Sequence, residues 1–574
     1  MSLSVYERYK ALFTEAVAAA TSLPAAEVAA QIKPAEPQHG DLSFPCFALA
    51  KALRKGPPQI AADLASKVKV EGLEIANTGP YLNARFSLQP FSGEVLQQVR
   101  SEATRYGSGE SGKGRSVVID YSAPNIAKPI AFHHIRSTMI GNAVANLHRS
   151  QGWEVHGINY LGDWGKQFGL VAVGFQEYGN PARRGEVAHL VEVYVQANAR
   201  AEREPEFDER ARAFFRRMED GDPEALELWK EFRETSLRDF KVVYERLGVR
   251  FESYEGESRY HGKMDAVIDR IRQKPGVRES DGALVVDMPY ADNEPPVLLK
   301  KNDGTTLYAT RDLAAAIDRY DRFGFERSLY VVATDQALHF RQVFRTLKEM
   351  GLEWSDRCIH VNFGRVGGMS TRKGNIVLLT QVLDEAKQRA REKVDENIAA
   401  GRIQTNDPEQ LAEDIGLGAI VFGDLKNRRT TDYEFNWDEV LNFEGHSGPY
   451  VQYAHARACN ILRKGGGAPK AGEFDASLLS LPEEQAVLRM IAKLPSVAQE
   501  ATDSYEPSLV ARYLLDLSAA FSRWYTLGNQ DKEKRVLIEG NDALRSARLA
   551  LTDAVRITLA SALSLLGVAT PENM

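Results

Sequence analysis

Apolar residues recur at intervals of three and four over residues 5–20, for example at Val5, Phe13 and Ala20. This spacing predicts an amphipathic helix with one face on a core, so a folded unit begins here. Glycine and serine predominate over residues 106–114 and predict a flexible connection that ends the unit.

The same connection partly matches a phosphate-binding loop, since Gly107 to Lys113 has the spacing G-x-x-x-x-G-K. Gly114, however, stands where a Ser or Thr should bind magnesium. The stretch also precedes a predicted strand, whereas a true phosphate loop follows one. We therefore interpret it as a linker.

Strand and helix patterns then alternate. Residues 117–119 are β-branched, residues 135–147 show helical spacing, and a second strand is predicted near residues 155–160. A strand, a crossover helix and a strand begin a parallel sheet, whose ligands bind at the carboxyl ends of its strands. The loops that follow residues 119 and 160 are therefore the first candidate sites.

Charged residues and helix formers dominate residues 184–271 and predict a helical insertion. The last part of the chain, about 130 residues, has the helical periodicity of a bundle, as at Leu488 and Ile491. Between them, strand patterns return at residues 284–288, 329–334 and 359–363.

Composition narrows the class of protein. A chain of 574 residues suggests about four folding units, and 43% hydrophobic with 26% charged residues is typical of globular domains. The net charge of −7 removes any overall electrostatic argument for nucleic acid, although a local basic surface can still attract phosphate.

No apolar run reaches the ~20 residues of a membrane helix, and the first residues resemble neither a signal nor a transit peptide. We expect a cytoplasmic protein without membrane contact. Cys46, Cys358 and Cys459 are far apart, so neither a disulfide framework nor a structural zinc site is expected, and no metal ligands are assigned.

Two segments carry candidate chemistry. Residues 120–138 follow the first predicted strand, and His133 and His134 open the next helix, where imidazole and backbone N–H groups can bind phosphate. Residues 368–375 form a basic, glycine-flanked loop after a later strand. Taken alone, each segment could equally be structural or a solvated turn.

Together these segments resemble the His-Ile-Gly-His and Lys-Met-Ser-Lys-Ser signatures of class I aminoacyl-tRNA synthetases. The surrounding Ser-Ala-Pro-Asn-Ile-Ala-Lys-Pro at 122–129 and Leu-Gly-Asp-Trp-Gly at 161–165 resemble arginyl-tRNA synthetases in particular. Residues 448–457 and the Asp-Ala-Leu-Arg of 542–545 resemble the anticodon-binding domain of that family. Gly40 and Asp41, with residues 50–55, resemble its N-terminal tRNA-contacting domain, so the resemblance covers nearly the whole chain.

The predicted fold class is α/β multidomain: a Rossmann-type parallel-sheet catalytic domain with a helical insertion, an N-terminal α+β domain and a C-terminal all-α helical bundle. The expected boundaries are 1–112 for the N-terminal tRNA-contacting domain, 113–365 for the catalytic domain with its insertion at about 184–275, 366–446 for the signature loop and stem-contact region, and 447–574 for the anticodon-binding domain.

The first signature departs from the family pattern. Ala131 stands at the first histidine and His133 at the glycine, while His134 is retained. We expect His133 to supply the missing imidazole from its neighbouring position.

In the second signature, Gly368 and Thr371 replace the two lysines, which leaves Arg372 and Lys373 as local cations. Family precedent implies that Lys128 compensates for the second lysine. The catalytic set implied by the resemblance is Lys128, His133, His134, Arg372 and Lys373.

Tyr308 and Asp312 are four residues apart and share one face of a predicted helix. A guanidinium needs a carboxylate and gains from a phenol ring beside it. Such a pair alone is usually a solvated helix face, but the family holds the substrate guanidinium with a pair of this kind. The resemblance also implies that Asp120, Asn125 and Gln336 hold the α-amino and backbone end of arginine.

For ATP, the resemblance implies His134, Gly162, Asp163, Met369 and Ser370. For tRNA, it implies Arg54, Lys55, Tyr450, Tyr453 and Arg457, although short basic clusters alone are usually solvated surface and the two tyrosines could be core aromatics.

The resemblance thus implies an arginine–tRNA ligase that activates L-arginine with ATP and transfers it to the 3′ end of arginine tRNA. ATP is a substrate with Mg²⁺ as its counter-ion, and a monomer is expected. The alternative is a catalytically silent RNA-binding paralogue, which only the altered first signature favours.

Overall fold

The computed structural model describes residues 3–36, 38–274, 276–287, 295–302, 308–368 and 377–574. The predicted helix at the start is α1, Val5–Thr21, which Ser4 caps by accepting a hydrogen bond from the Glu7 amide. Phe13 and Val17 of this helix are completely buried, whereas Leu12 is 39% exposed.

The N-terminal unit is an α+β layer. Its sheet is antiparallel with the order β1-β2-β4-β3. Its strands and helices are β1 Lys33–Pro34, β2 Leu42–Pro45, β3 Leu73–Thr78, β4 Tyr81–Phe86, α2 Ala25–Gln31, α3 Ala50–Leu53, α4 Pro57–Lys67 and α5 Leu88–Glu102.

Residues 106–114 are a packed turn and not the free linker that their composition predicts. The Gly109 amide donates to the Ser150 carbonyl at 2.9 Å, and the Gly112 amide donates to the Gln151 carbonyl at 2.8 Å. A Cβ on Gly112 would lie 2.0 Å from the Trp153 ring, so only glycine fits there. The composition of this stretch therefore reflects close packing as well as turn geometry.

A parallel sheet in the order β11-β10-β5-β6 forms the centre of the molecule. It is made of β5 Ser116–Asp120, β6 Glu154–Ile158, β10 Arg327–Tyr330 and β11 Cys358–His360, with α6 His134–Ser150, α7 Lys166–Tyr178, α12 Tyr308–Phe323 and α13 Ala337–Glu349. The helical insertion is also confirmed, as α8 Val187–Ala201, α9 Pro205–Glu219, α10 Pro223–Arg246 and α11 Met264–Ile271.

The strand predicted at 284–288 lies in a separate sheet, and Met288 is outside the described residues. This sheet is antiparallel in the order β7-β8-β9, built from β7 Val277–Ser280, β8 Ala283–Val286 and β9 Val297–Lys300. An apolar run is compatible with either kind of sheet, so the sequence alone did not separate the two.

The remaining elements are mostly helical and include the predicted C-terminal bundle. They are β12 Val366–Gly367, α14 Leu379–Ala399, α15 Pro408–Leu425, β13 Tyr433–Glu434, α16 Trp437–Val440, α17 Gly448–Gly465, α18 Pro482–Ala492, α19 Leu494–Ser504, α20 Ser508–Gln530 and α21 Asp542–Leu565. In the described ranges, no helix combines the length and apolar character needed to cross a membrane.

The N-terminal unit packs directly on this C-terminal bundle. Arg489 Nε donates to Asp41 Oδ1 at 2.7 Å, and Ser496 Oγ donates to Glu7 at 2.6 Å. The N-terminal unit and the C-terminal bundle are therefore in direct contact, although they lie at opposite ends of the sequence.

Candidate active site

The order of the parallel sheet reverses between β5 and β10, and such switch points are where open α/β sheets bind ligands. Asp120 ends β5 beside Tyr330 of β10. It is 5% exposed and accepts a hydrogen bond from Arg319 Nη2 at 2.8 Å. Burial raises the pKa of Asp120, and the Arg319 guanidinium opposes that rise. The carboxylate predicted to hold the substrate backbone is thus paired within the protein.

The loop after β5 has positive φ at three residues that are not glycine, namely Ser122, Ala123 and Ala127, at 70°, 45° and 59°. Left-handed backbone of this kind costs about 1–3 kcal/mol per residue and persists only where neighbours hold it. The Ser122 amide donates to Ser137 Oγ at 2.9 Å, and the Ala127 amide donates to Ser236 Oγ at 3.0 Å. Helices α6 and α10 therefore fix the conformation of this loop.

Asn125 and Gly162 join the loops that follow β5 and β6. The Gly162 amide donates to the Pro124 carbonyl, and the Ile126 amide donates to the Gly162 carbonyl, each at 3.2 Å. A Cβ on Gly162 would lie 1.9 Å from Asn125 Oδ1, so any larger residue there would displace the Asn125 side chain. Asn125 itself is exposed at the switch point.

Lys128 is exposed on the same loop, with its ammonium 5.1 Å from the centre of the Tyr194 ring. Tyr194 lies on α8 of the helical insertion. The insertion therefore contacts the cation that is predicted to compensate for the missing lysine.

His133 and His134 lie side by side, with ring centres 4.2 Å apart. His134 Nδ1 lies 3.1 Å from the Ala131 amide nitrogen and 3.2 Å from the Ala131 carbonyl oxygen, so the backbone of Ala131 holds this ring nitrogen and Nε2 is left to face a ligand. Burial, with His133 and Lys128 nearby, lowers the pKa of His134 to about 4. His134 is therefore a neutral hydrogen-bond donor at physiological pH, and His133 is the more exposed ring.

The chain just after the second signature contacts the first signature. The Phe132 amide donates to the Val377 carbonyl, and the Leu379 amide donates to the Ile130 carbonyl, each at 2.9 Å. The chain that leaves the second signature thus pairs with the first. Met369, Ser370, Arg372 and Lys373 lie outside the described residues, so their roles stay predictions.

Tyr308 and Asp312 share one face of the first turns of α12, as their spacing predicts. His339 of α13 joins them. Its Nε2 lies 2.6 Å from Asp312 Oδ2, and its ring centre is 4.8 Å from that of Tyr308. The three side chains form one cluster, and Tyr308 is 58% exposed and accessible to a ligand.

Glu257 adds a second carboxylate beside this cluster. It accepts a hydrogen bond from Arg311 Nη1 at 2.6 Å. Burial raises the pKa of Glu257 to about 7; Arg311 opposes this rise, and the charges of Asp312 and Asp163 add to it. The surroundings of Asp312 therefore hold two carboxylates, of which that of Glu257 is paired with the Arg311 guanidinium.

Asp163 has a structural environment that its motif did not indicate. It is fully buried, and its carboxylate accepts hydrogen bonds from Arg233 Nε at 2.8 Å and from the amide and Oγ of Ser258, each at 2.9 Å. These contacts join α10 to the loop after β6. The predicted ATP contact is therefore not available from this carboxylate. Gln336, by contrast, is exposed in the turn between β10 and α13.

Arg54 and Lys55 are exposed on the N-terminal unit. Lys55 Nζ pairs with Asp63 Oδ2 at 2.5 Å, and Arg54 has a positive φ of 51° at the end of α3. Both cations lie in the short connection between α3 and α4.

The three residues predicted on α17 differ in environment. Tyr450 is partly buried against the core, whereas Tyr453 is 38% exposed. The Arg457 guanidinium lies 4.7 Å from the ring centre of Tyr453 and 4.9 Å from that of Tyr525. Tyr453, Arg457 and Tyr525 line a cavity of 760 Å³ that Met574 also reaches. The arrangement is a cation between two aromatic faces at an open cavity.

His339, Glu257 and Tyr525 were not found from the sequence. His339 follows Gln336 by three positions, so helical spacing could have indicated that the two side chains lie on one face. Glu257 and Tyr525 reach their partners only through the tertiary fold, and no local pattern marks them.

Three family models match the chain. They are the catalytic domain of class I (R) tRNA synthetases at residues 95–437, the DALR anticodon binding domain at 451–574 and the arginyl tRNA synthetase N terminal domain at 7–86. Together with the parallel sheet and its paired signatures, these matches define a class I aminoacyl-tRNA synthetase. The predicted fold class is confirmed.

Relatives identify the family more closely. Arginine–tRNA ligases from Ligilactobacillus salivarius and Lactococcus lactis are 44% and 43% identical, covering 94% and 98% of this chain and 95% and 100% of their own. The solved arginyl-tRNA synthetase of Thermus thermophilus is 26% identical with a TM-score of 0.81, covering 98% of this chain and 99% of its own. The chain belongs to the arginine–tRNA ligase family.

Proposed function

We propose that the protein activates L-arginine with ATP and transfers it to arginine tRNA, with the described residues in the roles below. The observation that carries the proposal is the Asp312 cluster at the edge of the switch point. It combines a carboxylate held by His339, the accessible Tyr308 ring and a second carboxylate, Glu257. A planar cation with several N–H donors fits such a site.

Arginine is oriented with its guanidinium on Asp312 and its α-amino end near Asn125 and Gln336, the exposed polar groups of neighbouring loops. Asp120 contributes through its bond to Arg319 and not as a free acceptor. This arrangement directs the arginine carboxylate toward the first signature, so that the two reacting groups are held in proximity.

In the first step, a carboxylate oxygen of arginine attacks the α-phosphorus of ATP, and pyrophosphate leaves with its magnesium counter-ion. Arginyl-adenylate results. His134, as the tautomer with its proton on Nε2, donates to a phosphate oxygen, His133 supplies a second imidazole, and Lys128 neutralises phosphate charge. Magnesium arrives with ATP, so it belongs to the substrate. Preorganised donors of this kind supply most of the acceleration in phosphoryl chemistry.

In the second step, a terminal ribose hydroxyl of the tRNA attacks the carbonyl of the adenylate, and AMP leaves. We place an unstacked base of the tRNA in the cavity lined by Tyr453, Arg457 and Tyr525, because aromatic faces and an arginine suit base stacking. Arg54 and Lys55 are proposed phosphate contacts, and Tyr450 supports α17 from within the core.

We also propose a cytoplasmic monomer. Cys46, Cys358 and Cys459 are buried free thiols, as is usual in a reducing compartment. Light scattering of the purified protein checks the oligomeric state, and imaging of a tagged chain checks the compartment.

A two-part assay tests the reaction. We expect the purified protein to form arginyl-tRNA and to catalyse arginine-dependent exchange between pyrophosphate and ATP, with exchange dependent on added tRNA. Asp312→Asn is the negative control, since it has nearly the same size as the parent side chain but removes the charge that is proposed to bind arginine. Absence of arginyl-tRNA at all salt and magnesium concentrations, with tRNA binding retained, would favour the silent paralogue.

A further inference from the structure

Arg136 is a buried cation outside the substrate pocket. It lies on α6, two positions after His134, and is 1% exposed. Its Nη1 donates to the carbonyls of Gly364 and Thr431 at 3.0 and 2.9 Å, and its Nη2 donates to the Arg429 carbonyl at 3.2 Å. One guanidinium thus holds three backbone carbonyls from two other segments of the chain.

Asp424 balances this charge. Its Oδ1 lies 3.2 Å from Arg136 Nε and accepts a hydrogen bond from the Tyr433 hydroxyl at 2.9 Å. Asp424 is also 1% exposed, and the Tyr433 ring centre is 5.1 Å from the Arg136 guanidinium. A buried ion pair of this kind is weak evidence for stability, because apolar side chains often serve as well. Its geometric effect is more informative.

The segments that Arg136 holds lead into the second signature. The Tyr433 amide donates to the Arg365 carbonyl at 3.1 Å, and the Phe435 amide donates to the Gly367 carbonyl at 3.0 Å. Gly364 to Gly368 therefore form a short ladder with the segment that begins at Thr431, and the second signature follows at once in the chain. Arg136 anchors the start of this ladder.

The residues after the second signature are tied to the same helix entrance. The Leu379 amide donates to the Ile130 carbonyl, and the Phe132 amide donates to the Val377 carbonyl. The chain on both sides of residues 369–376 is thus bonded to the region around the start of α6. The preceding segment is held by Arg136, and the following segment is held by the residues just before His134.

We infer that Arg136 is a positioning residue for adenylate formation, fixing the entry of the second signature relative to His134. The inference rests on the proposed function. Arginine is held by α12 and α13, which Arg136 does not contact through any hydrogen bond found in the described part of the chain. Loss of the three carbonyl contacts should therefore slow adenylate formation and leave arginine binding intact.

Arg136→Lys tests this, because it keeps the charge but removes the planar fork that serves three carbonyls. Arg548→Lys is the matched control. Arg548 is also a buried arginine, 3% exposed, paired with Glu484 at 2.7 Å and donating to the carbonyls of Glu533 and Arg535. It lies on α21 of the C-terminal bundle.

At saturating tRNA, we expect Arg136→Lys to lower kcat for pyrophosphate exchange about 100-fold, as displacements near 1 Å can do, with the arginine KM within about twofold of the parent. Arg548→Lys should lower the melting temperature but keep kcat within about threefold. Transfer of arginine from added arginyl-adenylate to tRNA should be normal in both variants.

Asp424→Asn is a milder second variant for the case in which Arg136→Lys does not fold, and about tenfold loss of kcat is expected from it at unchanged arginine KM. Near-parental kcat in a folded Arg136→Lys protein would overturn the inference, as would equal losses of kcat in Arg136→Lys and Arg548→Lys. Failure of the parent protein to form arginyl-tRNA would instead reject the proposed function.

Discussion

His339 Nε2 lies 2.6 Å from Asp312 Oδ2, so an imidazole from α13 holds one oxygen of the carboxylate on α12. This contact fixes the direction of the other oxygen, Oδ1. The Tyr308 ring lies against the same imidazole, with ring centres 4.8 Å apart. Two helices therefore share the orientation of the carboxylate that we propose to bind the substrate guanidinium, and each of the three side chains can be tested separately.

Asp312→Asn should lose activity with arginine sharply and narrow the gap between arginine and citrulline. Citrulline has nearly the same shape but is neutral, so it leaves the Asp312 carboxylate without a counter-charge. Sites built for a polar partner reject analogues that lack it by up to ~10⁴. Measurement of kcat/KM for both amino acids in both proteins checks this. If the ratio of kcat/KM for arginine to that for citrulline were unchanged, Glu257 and not Asp312 would bind the guanidinium.

His339→Phe should raise the arginine KM about tenfold, because a charge-assisted hydrogen bond worth about 1.5–3 kcal/mol no longer orients Asp312. His339→Gln retains a donor and should recover part of that loss. The ATP KM serves as the internal control and should stay within about twofold. A smaller loss in His339→Phe than in His339→Gln would show that ring packing on Tyr308 matters more than the hydrogen bond.

Lys128→Ala should lower kcat by about 10²- to 10³-fold, the usual effect of removing one preorganised group that stabilises developing charge. Lys128→Arg keeps the charge and should restore part of the rate. The arginine KM should change less than threefold in both. If kcat of Lys128→Ala were within about threefold of the parent value, Arg372 or Lys373 would be the residue that neutralises the phosphate charge.

The pH profile should separate Glu257 from His134. The pKa of Glu257 is raised to about 7, so the carboxyl gains a proton as pH falls through 7 and attracts the guanidinium less. We expect kcat/KM for arginine to fall along this limb, and Glu257→Gln to abolish it. The pKa of His134 is lowered to about 4, so this ring stays neutral from pH 8 to pH 5. If His134→Asn and not Glu257→Gln removed the fall in kcat/KM near pH 7, the group that titrates there would be His134.

Tyr453→Ala should raise the tRNA KM about tenfold or more, since stacking of one base on an aromatic ring is worth about 1–3 kcal/mol. Tyr453→Phe keeps the ring face and is the matched control. The arginine KM, measured at saturating tRNA, should stay constant in both. Parental tRNA affinity in Tyr453→Ala would place the contact elsewhere on the cavity wall.

Local sequence patterns predicted the architecture well, because amphipathic spacing and signature motifs are short-range properties. The spacing of Tyr308 and Asp312 predicted their shared helix face. The strand at Ala283–Val286 was harder to assign, since its apolar run fits a parallel or an antiparallel sheet.

The site itself depended more on tertiary contacts. Asp163 belongs to a signature-like segment, yet its carboxylate is buried and bonded to Arg233 and Ser258, which lie far along the chain. Glu257 comes close to Asp312 only because α12 packs near the loop after β6. Charge and burial of this kind arise from the fold, so no spacing rule could predict them.

The contact between Asp41 and Arg489 spans 448 positions, and that between Glu7 and Ser496 spans 489. At about 5–20 residues per second of synthesis, roughly 20 to 90 seconds separate the emergence of Asp41 from that of its partner. The N-terminal unit must therefore leave the ribosome with its docking face uncovered. A nascent chain stalled before α18 should show that face to a protease or chaperone, and the finished chain should hide it.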